Sequence, residues 1–590
     1  MMRPDNPLIV QSDRSLMLHT VSARLDESGR AMRDENGRPL TIEHPRYTEA
    51  RDQLALFAEL EKSPDYLHTY RITPVSVWNA AALGITAARI ESILEDLSCV
   101  PIPANVITEV RGWLERYGLL RIEKRADAPD GFELVSSSQS ALQDVLGFRE
   151  IRKLLTVSED GRVFLTELER GTIKQALIKI GYPVDDRGGY LEGDPLQIEL
   201  RTETRAGRPF ALRPYQSEAA RMFYAGGSVL GGSGVVVLPC GAGKTIVGLG
   251  VMNLVGTKTL ILTTNTVAVR QWREELLDKT ALGPDDVGEY TGDGKTVAPV
   301  TISTYQMLTW RRTKTGEFEH FAIFSKENWG LVIYDEVHLL PAPIFRVTAE
   351  LQARRRLGLT ATLVREDGKE DEVFCLIGPK RCDVPWKVLE QKGFIAAAAC
   401  VEVRVPLDPA LRGHYQLADA RGKFRVASEN PAKTAVIVQL LQKHDDAHVL
   451  IIGQYLDQLN ALARHLKAPL ITGKTPTAER EKLYAQFKSG AIRLLIVSKV
   501  GNFAIDLPDA NVAIQVSGTF GSRQEEAQRL GRILRPKSDG SGAVFYSVVT
   551  LGSRDQEFAQ RRQLFLTEQG YTYEILEAGA IVPADPSSAR

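Results

Sequence analysis

Four short segments hold the residues whose types and spacing could do chemistry. They are Leu238-Pro-Cys-Gly-Ala-Gly-Lys-Thr245, Asp335-Glu-Val-His338, Thr360-Ala-Thr362 and Gln528-Arg-Leu-Gly-Arg-Ile-Leu-Arg535. In the first, Gly241, Ala242 and Gly243 let backbone N–H groups close around phosphate, and an apolar helix-like run follows, so its N-terminus adds positive potential. Lys244 would reach the β- and γ-phosphates and Thr245 would bind magnesium. The first glycine of the usual G-x-x-x-x-G-K-T spacing is replaced by Leu238. Asp335 and Glu336 follow the buried run Leu331–Tyr334, at the strand end where ligands bind in parallel sheets. Asp335 suits a magnesium ion and Glu336 an attacking water. This is chemistry for ATP with Mg2+. Gln528, Arg532 and Arg535 stand at i, i+4 and i+7, on one face of a helix. Arginine there can stabilise charge on a transferred phosphoryl group. We take Arg532 and Arg535 as the finger candidates and Gln528 as a reader of their alignment or of the water. Almost 200 residues separate them from the acidic pair, so the expected site draws on two lobes.

The elements that must position these groups are legible as short apolar runs: Val235–Leu238, Thr259–Leu262, Leu331–Tyr334, Val449–Ile452, Leu494–Val497 and Val512–Val516. Such runs, alternating with amphipathic helices, are what fully buried parallel strands look like. The expected fold class is α/β, with two parallel-sheet lobes at 205–385 and 395–575. Before them, 1–125 reads as a mostly helical N-terminal domain, with helices predicted over 52–60 and 107–117. A loop is expected at 26–46, a boundary at 126–131, a small α/β domain at 132–200 and a tail at 576–590.

Composition bounds the function. The chain has 590 residues, 43% hydrophobic and 25% charged, with a formal net charge of -1. Several domains fit that length. The balanced charge excludes a protein that coats nucleic acid by bulk attraction, so any such contact needs a local surface. No apolar run reaches the roughly 18 residues of a membrane span. The N-terminus leads into no signal-like core, and five scattered cysteines lack C-x-x-C spacing. The expectation is a cytoplasmic, nucleoid-associated protein with free thiols.

Together these segments resemble superfamily 2 helicases. Arg213-Pro-Tyr-Gln216 looks like that superfamily's adenine-reading element, so Arg213 and Gln216 join the nucleotide set. Leu262-Thr-Thr-Asn265 with Gln271-Trp272, and Thr301-Ile-Ser-Thr-Tyr-Gln306, look like its strand-contacting segments. Ser498-Lys-Val-Gly-Asn-Phe-Ala-Ile-Asp506 looks like its motif touching both DNA and ribose, which gives Asp506 to the nucleotide. A closer likeness lies in Asp335–Pro343, Gly358–Asp367, Ile377-Gly-Pro-Lys-Arg381 and Gln528–Pro536. These are similar to the xeroderma pigmentosum group B (XPB) helicases, particularly their bacterial members. The likeness covers nearly the whole chain and implies two RecA-like lobes, a thumb-like insertion near 405–430, and a damage-recognition-like domain at 132–200. It implies an ATP-dependent 3′→5′ DNA helicase or duplex translocase linked to DNA repair, with a repair nuclease as a possible partner.

A translocase holds the phosphate backbone without reading bases. Thr264, Thr304, Tyr305, Lys499 and Asn502 are the candidate DNA contacts. Thr360, Thr362, Arg365, Glu366 and Asp367 are the candidate coupling residues. Two rivals stand beside the helicase: a duplex translocase that remodels without separating strands, and a DNA-binding scaffold that uses nucleotide as a clamp. A full hydrolytic set argues against the clamp.

Overall fold

The computed structural model describes the chain except residues 1–2, 4, 27–29, 34–36, 38, 63–65, 126–130, 188–191, 228–230, 313–318, 321–323, 325–326, 340–352, 362–372, 374–376, 379, 499–509, 520–522, 532, 535–541 and 582–590. The chain divides into two compact units. One comprises Met1–Val237, Lys244–Leu363 and Gly368–Asp383; the other comprises Leu238–Gly243, Val364–Asp367 and Val384–Arg590.

The first unit opens with β1 (Leu8–Val10), β2 (Ser15–His19), β3 (Val21–Ala23), β4 (Thr41–Glu43), β5 (Glu59–Lys62) and β6 (Leu67–Arg71). β1, β2, β6 and β5 form an antiparallel sheet in that order. Burial alternates along β6, as it must when one face of a sheet meets a core. Helices Tyr47–Leu54, Pro74–Ala82, Ala87–Leu97 and Ala104–Arg116 fill out this part. The helix predicted over 107–117 is present. The one predicted over 52–60 ends at Leu54, and β5 follows. β4 lies on the segment expected as a loop at 26–46 and pairs with β3, which precedes it.

A five-stranded sheet follows, in the order β11 (Val184–Asp186), β7 (Leu120–Lys124), β8 (Gly131–Ser136), β10 (Val163–Thr166) and β9 (Thr156–Val157). β7 pairs antiparallel with β8, so this sheet begins before the boundary expected at 126–131. The helix Glu167–Lys179 packs on it and carries Arg170, which is 2% exposed. Arg170 lies over the Phe132 ring and donates from Nη2 to Asp186 at 2.6 Å, while Lys174 donates to the same carboxylate at 2.8 Å.

Each lobe is a seven-stranded parallel sheet. The first has the order β14 (Val287–Tyr290), β15 (Val300–Thr304), β13 (Thr259–Thr263), β16 (Leu331–Asp335), β17 (Arg355–Thr360), β12 (Ser233–Val237) and β18 (Lys380–Asp383). β13 and β15 are buried at every position and β16 at all but its last, as strands covered on both faces require. The second lobe has the order β21 (Leu470–Ile471), β22 (Leu494–Val497), β20 (Val449–Ile452), β23 (Val512–Gln515), β24 (Ala543–Thr550), β19 (Ala398–Val405) and β25 (Tyr573–Glu577). All six expected runs are strands of these two sheets. β25 and the short helix Ala578–Ile581 extend into the segment expected as tail.

The Asp186 cluster yields a stability prediction. Burial opposes the charged carboxylate, but Lys174 and Arg170 outweigh it and hold Asp186 well below its ordinary 3.8. Removing one partner of a buried pair strands the other charge at a cost of about 3–5 kcal/mol. Asp186→Asn should therefore raise hydrogen exchange across β7, β8 and β11 relative to the parallel sheets. A depressed carboxylate contributes fully above its unfolded pKa, and that contribution fades as acid approaches the folded value. The difference between variant and wild type should hold steady from neutral pH down to about pH 5 and shrink below about pH 4. Exchange mass spectrometry at several pH values checks both; unchanged exchange in the variant would remove the cluster from its assigned role.

Candidate active site

Strand register brings the motifs of the first lobe level. Val237, the last residue of β12, is opposite Thr360 of β17, and Asp335 of β16 is opposite Leu359. The three strands therefore end side by side, with β17 between the other two. After β12 the chain turns through Leu238–Gly243, where Gly241 and Gly243 take φ of 82° and 79°. Those are left-handed values that glycine adopts without strain. The Ala242 N–H donates to the Pro239 carbonyl at 3.2 Å, and the helix Lys244–Val255 begins.

Lys244 reaches back across the end of β17 and meets Glu336, Nζ to Oε1, at 3.0 Å. Glu336 has a positive φ of 51°. For a side chain with a Cβ this conformation is costly and is held by its surroundings. The Glu336 N–H donates to the Asp335 Oδ1 at 3.0 Å, and the Tyr305 hydroxyl donates to the Asp335 carbonyl at 2.7 Å. The indole N–H of Trp272 donates to Asp335 Oδ2 at 2.9 Å. Burial and the adjacent Glu336 carboxylate push Asp335 up to about 6, against the opposing pull of Lys244 and of the Trp272 hydrogen bond. His338, 3% exposed, shares a 2.6 Å hydrogen bond with the Thr360 hydroxyl and lies 3.6 Å from Glu336 Oε2. Glu336, His338 and Thr360 thus form one chain of contacts across two strands.

Two glycines in the helix Lys244–Val255 make this possible. A Cβ on Gly248 would stand 2.5 Å from the Trp272 ring. A Cβ on Gly250 would stand 3.0 Å from Leu212 and 3.4 Å from Ala220, on the helix Pro214–Tyr224. The second approach packs this helix against the one that Arg213 caps and that carries Gln216. The Gln216 amide oxygen accepts from the Arg213 N–H at 2.9 Å, so it also caps its own helix.

Several expected DNA contacts have other work. Thr304 is 4% exposed and caps the helix Tyr305–Leu308; Tyr305 is 3% exposed and holds the Asp335 backbone. Trp272, expected in a strand-contacting segment, is 1% exposed beneath Gly248. Thr264 is half-buried and accepts from Asn265 Nδ2 at 3.2 Å. Lys499, Asn502, Asp506, Thr362, Arg365, Glu366, Asp367, Arg532 and Arg535 lie outside the described residues. The role of Trp272 was missed from the sequence. Its signal is the pair of glycines, which weaken an otherwise apolar helix unless something must come close.

In the second lobe, Gln528 is 5% exposed on the helix Arg523–Gly531. Buried polar bonds fix that helix. Arg529 donates to Gln515 Oε1 at 2.5 Å and to the Ser517 carbonyl at 3.1 Å, Gln515 donates to Glu526 at 2.7 Å, and Arg562 lies 3.4 Å from Glu526. The 405–430 segment holds the helices Arg412–Leu417 and Ala420–Ser428. It is tied down by Asn430, whose Nδ2 donates to the Pro406 carbonyl at 2.9 Å and to the Thr550 hydroxyl at 3.2 Å.

A glycine loop, a lysine on an acidic pair, and paired parallel-sheet lobes define the two-lobed P-loop nucleotide hydrolases of the helicase type. Comparison with known proteins narrows the class. Residues 389–586 match the family described as ERCC3/RAD25/XPB C-terminal helicase, 209–365 that described as type III restriction enzyme, res subunit, and 36–160 that described as helicase conserved C-terminal domain. The chain is 49% identical over 575 residues to the DNA 3'-5' helicase XPB of Mycobacterium tuberculosis, covering 97% of this chain and 98% of that protein. It is 49% identical over 578 residues to the DNA 3'-5' helicase XPB of Kineococcus radiotolerans, covering 98% and 97%. It is 34% identical over 552 residues to the general transcription and DNA repair factor IIH helicase/translocase subunit XPB of Antonospora locustae, covering 90% and 79%. The chain belongs to the XPB family of helicases.

The Trp272–Asp335 hydrogen bond is testable. A hydrogen bond to a charged group contributes roughly 1.5–3 kcal/mol, equivalent to about tenfold to a hundredfold. Trp272→Phe keeps an aromatic ring under Gly248 and removes the donor. ATP turnover should fall by about that factor, while nucleotide affinity changes less than about threefold. Turnover equal to wild type would show that Asp335 needs no such positioning.

Proposed function

We propose that the protein is an ATP-driven DNA 3′–5′ helicase that works in DNA repair. The observation that carries the ATPase part is the Lys244–Glu336 pair at 3.0 Å beside an Asp335 fixed by Trp272 and Tyr305. The donor set fits ATP with Mg2+. The glycines expose N–H groups at a helix N-terminus, Lys244 supplies a cation, and Thr245 with Asp335 offers the hard oxygen ligands magnesium prefers. Magnesium, when bound, neutralises charge on the phosphates.

The remaining steps belong to the chain's own residues. Lys244 exchanges its carboxylate partner for phosphate when nucleotide enters, which leaves Glu336 to accept a proton from water. His338 links Glu336 to Thr360 and so to the coupling segment Thr362 and Arg365–Asp367. Arg532 and Arg535 are assigned to the charge that develops on the phosphoryl group, and Gln528 to their alignment. Arg213, Gln216 and Asp506 are assigned to the base and ribose. Lys499, Asn502 and the half-buried Thr264 are assigned to the DNA backbone, and the 405–430 segment to the family's thumb. A cytoplasmic, nucleoid-associated location and a repair-nuclease partner belong to the same reading. The relative named helicase/translocase keeps a duplex translocase as the second reading.

Glu336→Gln should bind nucleotide about as well as wild type and hydrolyse it orders of magnitude more slowly, whereas Lys244→Ala should lose both binding and turnover. Equilibrium binding beside single-turnover hydrolysis separates the two; hydrolysis near wild type in Glu336→Gln would take that residue out of the chemistry. The wild type should open a duplex with a 3′ single-stranded tail and leave a 5′-tailed one closed. ATP hydrolysis with no opening of either substrate would favour the translocase.

Replacing Arg365, Glu366 and Asp367 together with alanine should uncouple the motor. DNA-stimulated hydrolysis should keep most of its rate while strand separation falls by at least about tenfold, since these residues are not phosphate ligands in this assignment. Parallel ATPase and strand-displacement assays decide it. Equal losses in both would place the turn in the ATP site instead.

A further inference from the structure

Arg381 is a buried cation that the nucleotide chemistry does not use. It is 6% exposed, and its Nε donates to the Ser233 carbonyl at 2.8 Å. Among the described residues no carboxylate lies within ion-pair distance of it. Burial alone pushes its pKa down to about 10. A guanidinium carries five donors, and a buried charge is retained at low cost only when paired.

Arg381 lines a cavity of about 740 Å³ between the helices Tyr47–Leu54 and Pro214–Tyr224. That volume lies in the range of small-molecule sites. Arg221, exposed and without an ion pair among the described residues, lines the same cavity, as do the apolar Leu56 and Met222. The third arginine, Arg51, is already satisfied by Asp52 at 2.9 Å and Glu218 at 2.8 Å. Asp52 and Glu218 line the cavity too, but both are engaged by Arg51, which leaves Arg381 and Arg221 as its cations without an ion pair among the described residues, beside an apolar wall. Its anchor, Ser233, starts β12, at the opposite end of that strand from the phosphate-binding turn. The cavity is distinct from the ATP site.

We infer that this cavity binds a small ligand with an oxyanion head, phosphoryl or carboxylate, held by Arg381 and Arg221, with its apolar body against Leu56 and Met222. Planar guanidinium forks suit either head.

The test uses the full chain carrying Lys244→Ala, so that phosphate cannot register through the nucleotide site. Thermal unfolding is followed against inorganic phosphate and, separately, acetate, each at fixed ionic strength balanced with chloride. A ligand that binds the folded state raises the midpoint in a saturable way. At least one of the two should do so, and the one that does identifies the head. Adding Arg381→Met should weaken that binding by about tenfold or more. Adding Arg221→Met, at an exposed position where folding is not at stake, should weaken it severalfold, and it decides the matter if the Arg381 variant does not fold. The inference is overturned if neither anion shifts the midpoint, or if the variants bind as tightly as their parent. A matched loss of ATP affinity in Arg381→Met alone would also overturn it, by placing the arginine in the nucleotide site.

Discussion

The contact between Lys244 and Glu336 is the constraint on which the first lobe depends. The two residues leave strands that are not neighbours: β12 and β16 flank β17. Two strand spacings separate them, roughly 9–10 Å, which an extended lysine and a glutamate span only if all three strands end level. The register supplies this, with Val237 opposite Thr360 and Asp335 opposite Leu359. A slip of one residue in either ladder would turn the side chains to the other face of the sheet. The charge arrangement then follows. Lys244 lowers the cost of two adjacent carboxylates. Trp272 donates to one Asp335 carboxylate oxygen, the Glu336 N–H to the other, and Tyr305 to the Asp335 main-chain carbonyl.

The second lobe meets a related demand with buried polar bonds. On its helix Arg523–Gly531, Glu526 and Arg529 are 0% and 1% exposed. They are held by Gln515 at the end of β23 and by Arg562. Close by, Lys433 and Asp555, each 1% exposed, pair at 2.7 Å, and Lys433 also donates to the Val516 carbonyl at 2.9 Å. Buried charges of this kind are weak contributors to stability, but they tolerate few alternative geometries. An apolar helix face could rotate or slide. A guanidinium bonded to both a side-chain and a main-chain oxygen at one strand end cannot do so without stranding its donors.

Much of this was legible in the sequence, because both lobes are built from strands buried on two faces. Runs such as Thr259–Leu262 and Val512–Val516 have no competing interpretation as exposed structure, and the glycine turn and the acidic pair carry their spacing openly. The antiparallel N-terminal part was less legible. Its strands are short and one-sided, and β5 follows a helix that a 3.6-residue pattern prolongs past Leu54. The five-stranded sheet begins before the boundary expected at 126–131, since β7 pairs with β8, a partnership that Pro, Asp and Gly in the sequence do not announce. Within the site, residue types pointed to phosphate and metal candidates but not to the residues that support them. Trp272, Tyr305 and His338 act through contacts with residues 63, 30 and 22 positions away, which no local spacing encodes. The same holds for Tyr305 and Thr304 as expected DNA contacts: hydroxyls near a strand end look available until burial is known.

The N-terminal part is more than an appendage of the first lobe. An exposed edge strand invites pairing with other chains, and β18 is the edge of the parallel sheet beside β12, which leads into the turn Leu238–Gly243. Lys380 in β18 donates to the Leu60 carbonyl in β5, and Asp383 accepts from the same ammonium at 3.1 Å. Val75 and Trp78, from the helix Pro74–Ala82, join the same apolar cluster as β12, β13 and β16. Lys380 thus ties that edge strand to the preceding sheet. Displacement of the N-terminal sheet therefore acts on elements packed contiguously with β18 and β12. Close packing of that kind transmits small shifts instead of absorbing them.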